Sequence, residues 1–296
     1  MSNAVLLKLR SPVNRIGGKY YLTDFLTQHI PAHTLYCEPF CGASHLLFSK
    51  LPSQAEVVND TDGSLIAFFR VIQSPEKRQA LMDRLNYMPY SRALWQEIRQ
   101  NWKQGNIPQD EVGRVSQWFY LNRTCFSGDQ RRGGFAVPST TGRNPVQSFR
   151  NSIDSFDAIA ERLRNVCIEN LDYSDCIQRY DSPETLFYCD PPYLDAEHYY
   201  GSKNFTLESH YRLSEILHDT KGHAMITHYA NCLYDDLYKG WNRFGFSSFK
   251  RSHKSTGGEK PKTVEVLYCN FEPETRGLFN AYAWNASDCI SSKQEK

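Results

Sequence analysis

The strongest constraint on this chain is a rhythm: a short apolar, β-prone run, a turn carrying reactive side chains, then a helical pattern. Residues 34–37 precede Glu38-Pro39-Phe40, residues 56–58 precede Asn59-Asp60, and residues 186–189 precede Asp190. Strand, loop, helix is the order of a doubly wound α/β sheet, whose ligands sit beyond the carboxyl ends of its strands. Helical patterns are expected at residues 44–51, 62–72 and 207–217, and further strands at 224–227 and 263–271, the last from its alternation.

The interval 72–165 breaks the rhythm. Helical stretches around residues 79–85 and 92–102 lead through a turn at Gly105 to Pro108 into a helix at 111–122. A loop of Arg, Gly, Ser, Thr and Pro follows over residues 123–145, and so long an irregular stretch inside a compact protein marks function or mobility. This interval is read as an inserted helical lobe, flanked by catalytic-domain segments 5–71 and 166–271 and followed by a weakly patterned tail, 272–296.

Charge supports the division. Residues 70–165 hold 15 Lys+Arg against 9 Asp+Glu, and residues 239–262 hold 7 against 1, so with a total of +1 the rest of the chain carries −11. Two basic segments on an acidic body form a polyanion footprint, with a solvated surface as the plainer alternative.

Composition narrows the class further. With 296 residues and 40% hydrophobic content the chain can bury a large core. No run reaches the roughly 18 apolar residues of a membrane helix, and residues 5–9 are too short for a secretory signal, which leads to a cytoplasmic expectation. The nine cysteines contain no Cys-x-x-Cys and are read as small core residues. There is no His-Glu-x-x-His, and His218, His223 and His228 are expected on different elements, so no metal site is expected.

The tetrapeptide Asp190-Pro191-Pro192-Tyr193 carries the most specific chemistry. An aromatic exocyclic amine such as adenine N6 is a poor nucleophile because its lone pair is delocalised into the ring. Accepting a hydrogen bond from each of its two hydrogens favours a pyramidal nitrogen with its lone pair directed outward. Asp190 offers a carboxylate and Pro191 a carbonyl, while the prolines stiffen the loop and bring no competing N–H. Tyr193 offers an aromatic face on which an extruded base can stack. Alone, the tetrapeptide could equally be a rigid turn.

Three earlier segments add to it. Arg15-Ile16-Gly17-Gly18-Lys19 ends like a phosphate loop, but Val13 and Tyr20 stand where that loop needs Gly and Ser or Thr, which disfavours a nucleoside triphosphate. In Glu38-Pro39-Phe40-Cys41-Gly42-Ala43-Ser44 the glycine permits close backbone approach, and Glu38 can reach a cationic amine. About twenty residues on, Asp60 ends the next strand with an acid suited to ribose hydroxyls or, alternatively, to capping a helix.

In this order the residues resemble the adenine-N6 DNA methyltransferase family that includes the Dam methylases, over residues 14–271. Residues 14–19 look like its amino-terminal cofactor motif, 38–44 its methionine-binding loop, Asn59-Asp60 its ribose acid and Asp190 to Tyr193 its catalytic loop. Asp172 is similar to the position beside the cofactor adenine. Asn204 to Leu207 with His210 and Leu213, and Gly257-Gly258 with Val264 to Leu267, match later segments. Leu121-Asn122-Arg123, Ser127-Gly128 and Gly134 to Pro138 resemble its DNA-facing segment. Ser44, Ile16 and Ala136 depart from the family pattern, and the Arg-Arg-Gly-Gly-Phe run differs in length and charge, so the resemblance does not extend to a GATC target.

The resemblance implies a Rossmann-like S-adenosylmethionine-dependent methyltransferase domain, with a mostly parallel sheet, a late antiparallel strand and an inserted helical target-recognition lobe. It implies S-adenosyl-L-methionine as cofactor, held by Arg15, Ile16, Gly17, Lys19, Glu38, Pro39, Phe40, Gly42, Asp60, Asp172 and Asp190. It implies double-stranded DNA as partner and direct methyl transfer to a flipped adenine, with Asp190, Pro191, Pro192 and Tyr193 catalytic. Asn122, Arg123, Arg131, Arg132 and Arg143 are the DNA-facing candidates, with Lys254 beside Lys250 and Arg251 as the second basic group. A cognate restriction endonuclease and the oligomeric state stay open. So do a methyltransferase of cytosine N4, RNA or a protein amide, and a noncatalytic DNA-binding relic.

Overall fold

The three chemistry-bearing turns each follow a strand, as the apolar runs predict. The computed structural model describes residues 8–128, 130, 133–194, 205–249 and 262–273. In chain order the elements are α1 (Thr23–Gln28), β1 (Leu35–Glu38), β2 (Ala55–Asn59), α2 (Gly63–Gln73), α3 (Pro75–Tyr87), α4 (Arg92–Lys103), α5 (Glu111–Thr124) and α6 (Pro145–Asp154). There follow α7 (Phe156–Leu163), β3 (Val166–Glu169), α8 (Tyr173–Tyr180), β4 (Thr185–Cys189), α9 (Leu207–Asp219), β5 (His223–Tyr229), α10 (Cys232–Leu237), β6 (Asn242–Phe249) and β7 (Lys262–Cys269). The described residues divide into two compact units, those within Met1–Thr27 and Cys41–Tyr173, and those within Gln28–Phe40 and Ser174–Lys296.

In the first unit β2 and β3 pair in parallel, with Val57 opposite Cys167. Asp62 starts α2 by accepting the Ser64 and Leu65 N–H groups, which satisfies amides that the first helical turn leaves orphaned. That helix buries Leu65, Ile66, Phe68, Phe69, Val71 and Ile72. Phe68 stacks on Phe119 of α5 at 5.1 Å and meets Phe156 of α7 edge-on at 5.6 Å. The same unit holds an ion cluster: Glu56 on β2 bonds Lys50 Nζ at 2.5 Å and Arg162 on α7, with all three side chains nearly buried. Burial pushes the Glu56 carboxyl up, but the Arg162 and Lys50 partners outweigh it and hold it below its ordinary value.

Residues 72–165 contain helices α3 to α7, capped by Ser91, Asp110 and Asn144, the last with Pro145 following. Among the described residues of the expected loop, Arg123 and Thr124 still belong to α5, Phe126–Gly128 form a 3-10 turn, and an isolated bridge pairs Cys125 with Phe135. The helix expected at 44–51 is absent. Ser44 takes a left-handed φ of 48°, and the chain runs on in turns whose bonds alternate between Phe48 N to Ser44 O and Ser49 N to Leu46 O. A left-handed residue at the start denies α-helix its first turn.

In the second unit β1, β4 and β5 are parallel neighbours, with Tyr36 opposite Leu186 and Tyr188 opposite Met225. β7 runs antiparallel to β5, placing Thr227 opposite Leu267, and β6 runs antiparallel to β7. The late antiparallel strand is therefore present, and β6 adds a second that the sequence did not announce, because Gly245, Ser247 and Ser248 dilute its pattern. α9 opens with a capping box formed by Thr206 and Ser209. His223 and His228 share β5, contrary to the expectation of separate elements; five residues apart, they face opposite sides of the strand. No helix among the described residues is long and apolar enough to cross a membrane.

Candidate active site

In the first unit a hydrogen-bonded frame surrounds Asp60, one residue beyond β2. Its Oδ2 accepts the Gly42 N–H at 3.0 Å and its Oδ1 the Asp62 N–H at 2.9 Å. Gly42 has φ 46°, and a Cβ there would meet nothing within 4 Å, so backbone borders open space beside an acid. Burial raises the Asp60 pKa, with the charge of Arg15 and the two amides pulling it down. The helix-capping alternative falls instead to Asp62, which caps α2 through Oδ1 while Oδ2 pairs with Arg15 Nη2. Asn59 brackets Leu171, accepting its N–H at 2.7 Å and donating to its carbonyl at 3.1 Å, and this sets the exposed Asp172 just beyond.

Segment 14–19 turns tightly in the same unit. Gly18 N–H donates to Arg15 O at 3.2 Å, Gly17 has φ 81°, and Ile16 is half-buried. A Cβ on Gly18 would lie 2.8 Å from His45 Nε2 and 3.2 Å from Arg15 O, so a larger residue there would force the His45 ring to shift. Lys19 is buried and donates from Nζ to Gly17 O at 2.8 Å.

In the second unit Glu38 ends β1, 1% exposed, and accepts the Tyr36 hydroxyl at 2.7 Å. Pro39 is buried behind it, and the Phe40 ring meets Phe205 edge-on at 5.6 Å. Asp190 follows β4, and its Oδ1 accepts the Thr227 hydroxyl from β5 at 3.0 Å. Pro191 is buried and Pro192 half-buried. The Tyr193 ring lies 4.6 Å from His228 and 4.7 Å from Tyr229, and its hydroxyl donates to Glu265 Oε2 at 3.4 Å. Burial, then the charges of Asp190 and Glu265, push the Tyr193 pKa far up, so its hydroxyl stays protonated.

The DNA-facing candidates divide. Arg143 is exposed, its guanidinium 5.1 Å from the ring of Phe126, itself 55% exposed. Asn122 is buried, and Arg123 is half-buried on the same helix; both direct hydrogen bonds at Asn14. Arg131, Arg132 and Lys254, with Lys250, Arg251, Asn204 and Gly257-Gly258, lie outside the described residues.

The sequence places Thr227, His228 and Glu265 within expected elements but gives them no role at the site. The signal was available: residues 224–227 form a strand next to the one ending at Asp190, and a strand's carboxyl end is where this architecture places function. Among the described residues no group of three or more His, Cys, Asp and Glu could hold a metal ion.

The comparisons agree with this chemistry. The chain is 27% identical to the Type II methyltransferase M.CviBI of Paramecium bursaria Chlorella virus NC1A over 263 residues, 86% of this chain and 97% of that protein. It is 27% identical to a DNA adenine methylase of Escherichia coli (strain K12) over 273 residues, 88% of this chain and 95% of that protein. A DNA adenine methylase of Vibrio cholerae serotype O1 is 26% identical over 274 residues, 88% of this chain and 95% of that protein. The sequence pattern of the D12 class N6 adenine-specific DNA methyltransferases matches residues 16–256. That match sets aside cytosine N4, RNA, a protein amide and a noncatalytic relic, and it carries with it a methyl donor and a DNA substrate. A mixed α/β chain with mostly parallel strands, an acid-lined open frame at Asp60 and a strand-end Asp-Pro-Pro-Tyr, it belongs to the D12 class of N6 adenine-specific DNA methyltransferases.

Proposed function

We propose that the protein transfers the methyl group of S-adenosyl-L-methionine to N6 of an adenine flipped out of double-stranded DNA. The observation that carries this reading is Asp190, just beyond β4 with its carboxylate fixed by the Thr227 hydroxyl, followed by a Tyr193 ring packed on His228. The residues present suit the donor: Gly42 opens space beside Asp60, and the acids match its ammonium and its ribose hydroxyls. When bound, S-adenosyl-L-methionine supplies an electrophilic methyl group on a sulfonium.

Glu38 takes the ammonium, with Pro39 and Phe40 shaping the loop, and Asp60 takes the ribose hydroxyls. Asp172 would serve the donor's adenine, and the turn of Arg15, Ile16, Gly17 and Lys19 would complete the donor-binding set. The Asp190 carboxylate and the Pro191 carbonyl would accept hydrogen bonds from the two N6 hydrogens and so recover the amine's lone pair for direct methylation. The N–C bond forms as the donor's S–C bond breaks to leave a neutral thioether, and N6 releases one proton, without a covalent enzyme intermediate. Pro192 holds the loop rigid, and Tyr193 stacks on the extruded base. Extrusion costs a few kcal/mol, which contacts from the lobe at residues 72–165 offset. Arg143, Arg131 and Arg132 supply those contacts, with Lys254 from the second basic segment. Segments 5–71 and 166–271 act as the catalytic domain and 272–296 as a tail. The reading places the protein in the cytoplasm with its DNA, and a modification role would add a cognate restriction endonuclease as partner.

The test is incubation with duplex DNA and S-adenosyl-L-methionine labelled in its methyl group, followed by mass analysis of the nucleosides. Label on adenine N6 is the expected result; label on cytosine, or none, overturns the reading.

A further inference from the structure

Asn122 on α5 is 2% exposed. Its amide grips the backbone of Asn14 twice, accepting the N–H at 2.9 Å and donating to the carbonyl at 2.8 Å. Arg123 adds a third bond from Nη1 to Asn14 Oδ1 at 2.6 Å. Its Nη2 ties this grip to α6, donating to the Ser148 carbonyl at 2.9 Å and hydroxyl at 2.7 Å. Gly128 closes the contact from the other side, for a Cβ there would sit 2.7 Å from Asn14 O. Asn14 precedes Arg15, which pairs with Asp62, and the Asp62 N–H in turn binds Asp60. A continuous series of bonds thus runs from α6 to the acid beside Gly42.

Arg123 is costly where it stands. Burial, with Arg10 nearby, lowers its pKa to about 10, and its bonds among the described residues go to amide, carbonyl and hydroxyl oxygens rather than to a carboxylate. A partly buried, uncompensated guanidinium costs stability that an apolar side chain joining two helices would not. What the planar fork supplies is a fixed place for Asn14. We propose that Asn122 and Arg123 are positioning residues that set segment 15–19 for the methyl donor, rather than contacts to DNA. This replaces their DNA-facing role and rests on the reading of segment 15–19 and Asp60 as the donor side.

The test compares Arg123→Gln and Arg123→Lys with Arg143→Gln. For each, calorimetry gives the affinity for S-adenosyl-L-methionine, titration of a mixed-sequence DNA duplex gives the slope of log affinity against log salt, and melting gives the thermal midpoint. Arg123→Gln is expected to weaken donor binding about fivefold or more and to leave the salt slope unchanged. Arg123→Lys keeps the charge without the fork and weakens donor binding likewise; if the glutamine variant does not fold, the lysine variant decides alone. Arg143→Gln is expected to flatten the slope by about 0.9, the share of one phosphate contact, with donor affinity unchanged. A flattened slope with unchanged donor affinity at Arg123 overturns the proposal in favour of a phosphate contact. A lowered midpoint with both affinities unchanged overturns it in favour of a simple scaffold. Failure of the parent protein to bind the donor would overturn the donor-side reading instead.

Discussion

His228 accepts the backbone N–H of Leu194 through Nε2 at 2.9 Å, and its Nδ1 contacts the Tyr229 carbonyl at 2.8 Å. An amide N–H can only donate and a carbonyl only accept, so the proton sits on Nδ1 and the ring is neutral. The imidazole also packs on aromatics, stacked on Tyr234 at 3.7 Å and lying against Tyr193 at 4.6 Å. It therefore holds the exit of the Asp-Pro-Pro-Tyr loop by hydrogen bond and by packing.

Removing that hold lets the loop drift, and a displacement of about 1 Å in a reacting geometry costs on the order of a hundredfold in rate. His228→Ala is expected to slow single-turnover methyl transfer by about 10- to 100-fold while donor affinity stays within a factor of about two. An unchanged rate would show that the prolines suffice to fix the loop.

The Glu56 cluster makes a different prediction, on stability. Taking away the shared acid strands two buried cations, Lys50 at 3% and Arg162 at 10% side-chain exposure. Glu56→Ala is expected to cost about 3–5 kcal/mol in denaturant unfolding, the range for breaking a buried ion pair from one side. A loss below about 1 kcal/mol, the value of a surface pair, would mean that water reaches the cations.

His210 sets a pH dependence. Burial lowers its pKa to about 4 from an ordinary 6.5, and its Nδ1 lies 2.6 Å from the Tyr234 hydroxyl. Between those two values the unfolded chain binds a proton that the folded chain does not. Stability therefore falls as pH drops through this window, by up to about 1.4 kcal/mol per pH unit from this group, and levels off below it. His210→Gln keeps a polar partner for Tyr234 and removes the titration. Unfolding curves at several pH values in the window should be flatter for the variant; identical pH dependence would contradict the assignment.

The sequence announced the parts of the site that follow from strand ends. Asp60 and Asp190 stand immediately beyond apolar runs, and those runs are strands for the reason that made them visible, burial within a sheet. Residues 44–51 misled because their helical pattern begins at Ser44, and a left-handed φ leaves no trace in side-chain periodicity. Asn122 and Arg123 read as DNA-facing because Leu121-Asn122-Arg123 resembles the family's DNA-facing segment. Only the fold brings Asn14, 108 residues away, under the Asn122 amide. Thr227 and His228 act through contacts between adjacent strands, which sequence order places far from Asp190.

The central claim is that the Asp190 carboxylate activates adenine N6, a role beyond any contact it makes with the donor. The direct measurement is nucleoside mass analysis of DNA treated with the Asp190→Ala protein and labelled S-adenosyl-L-methionine, beside a calorimetric titration of that protein with the donor. The account predicts donor binding close to that of the parent protein and no N6-methyladenine. N6-methyladenine formed at the parent's rate would contradict it.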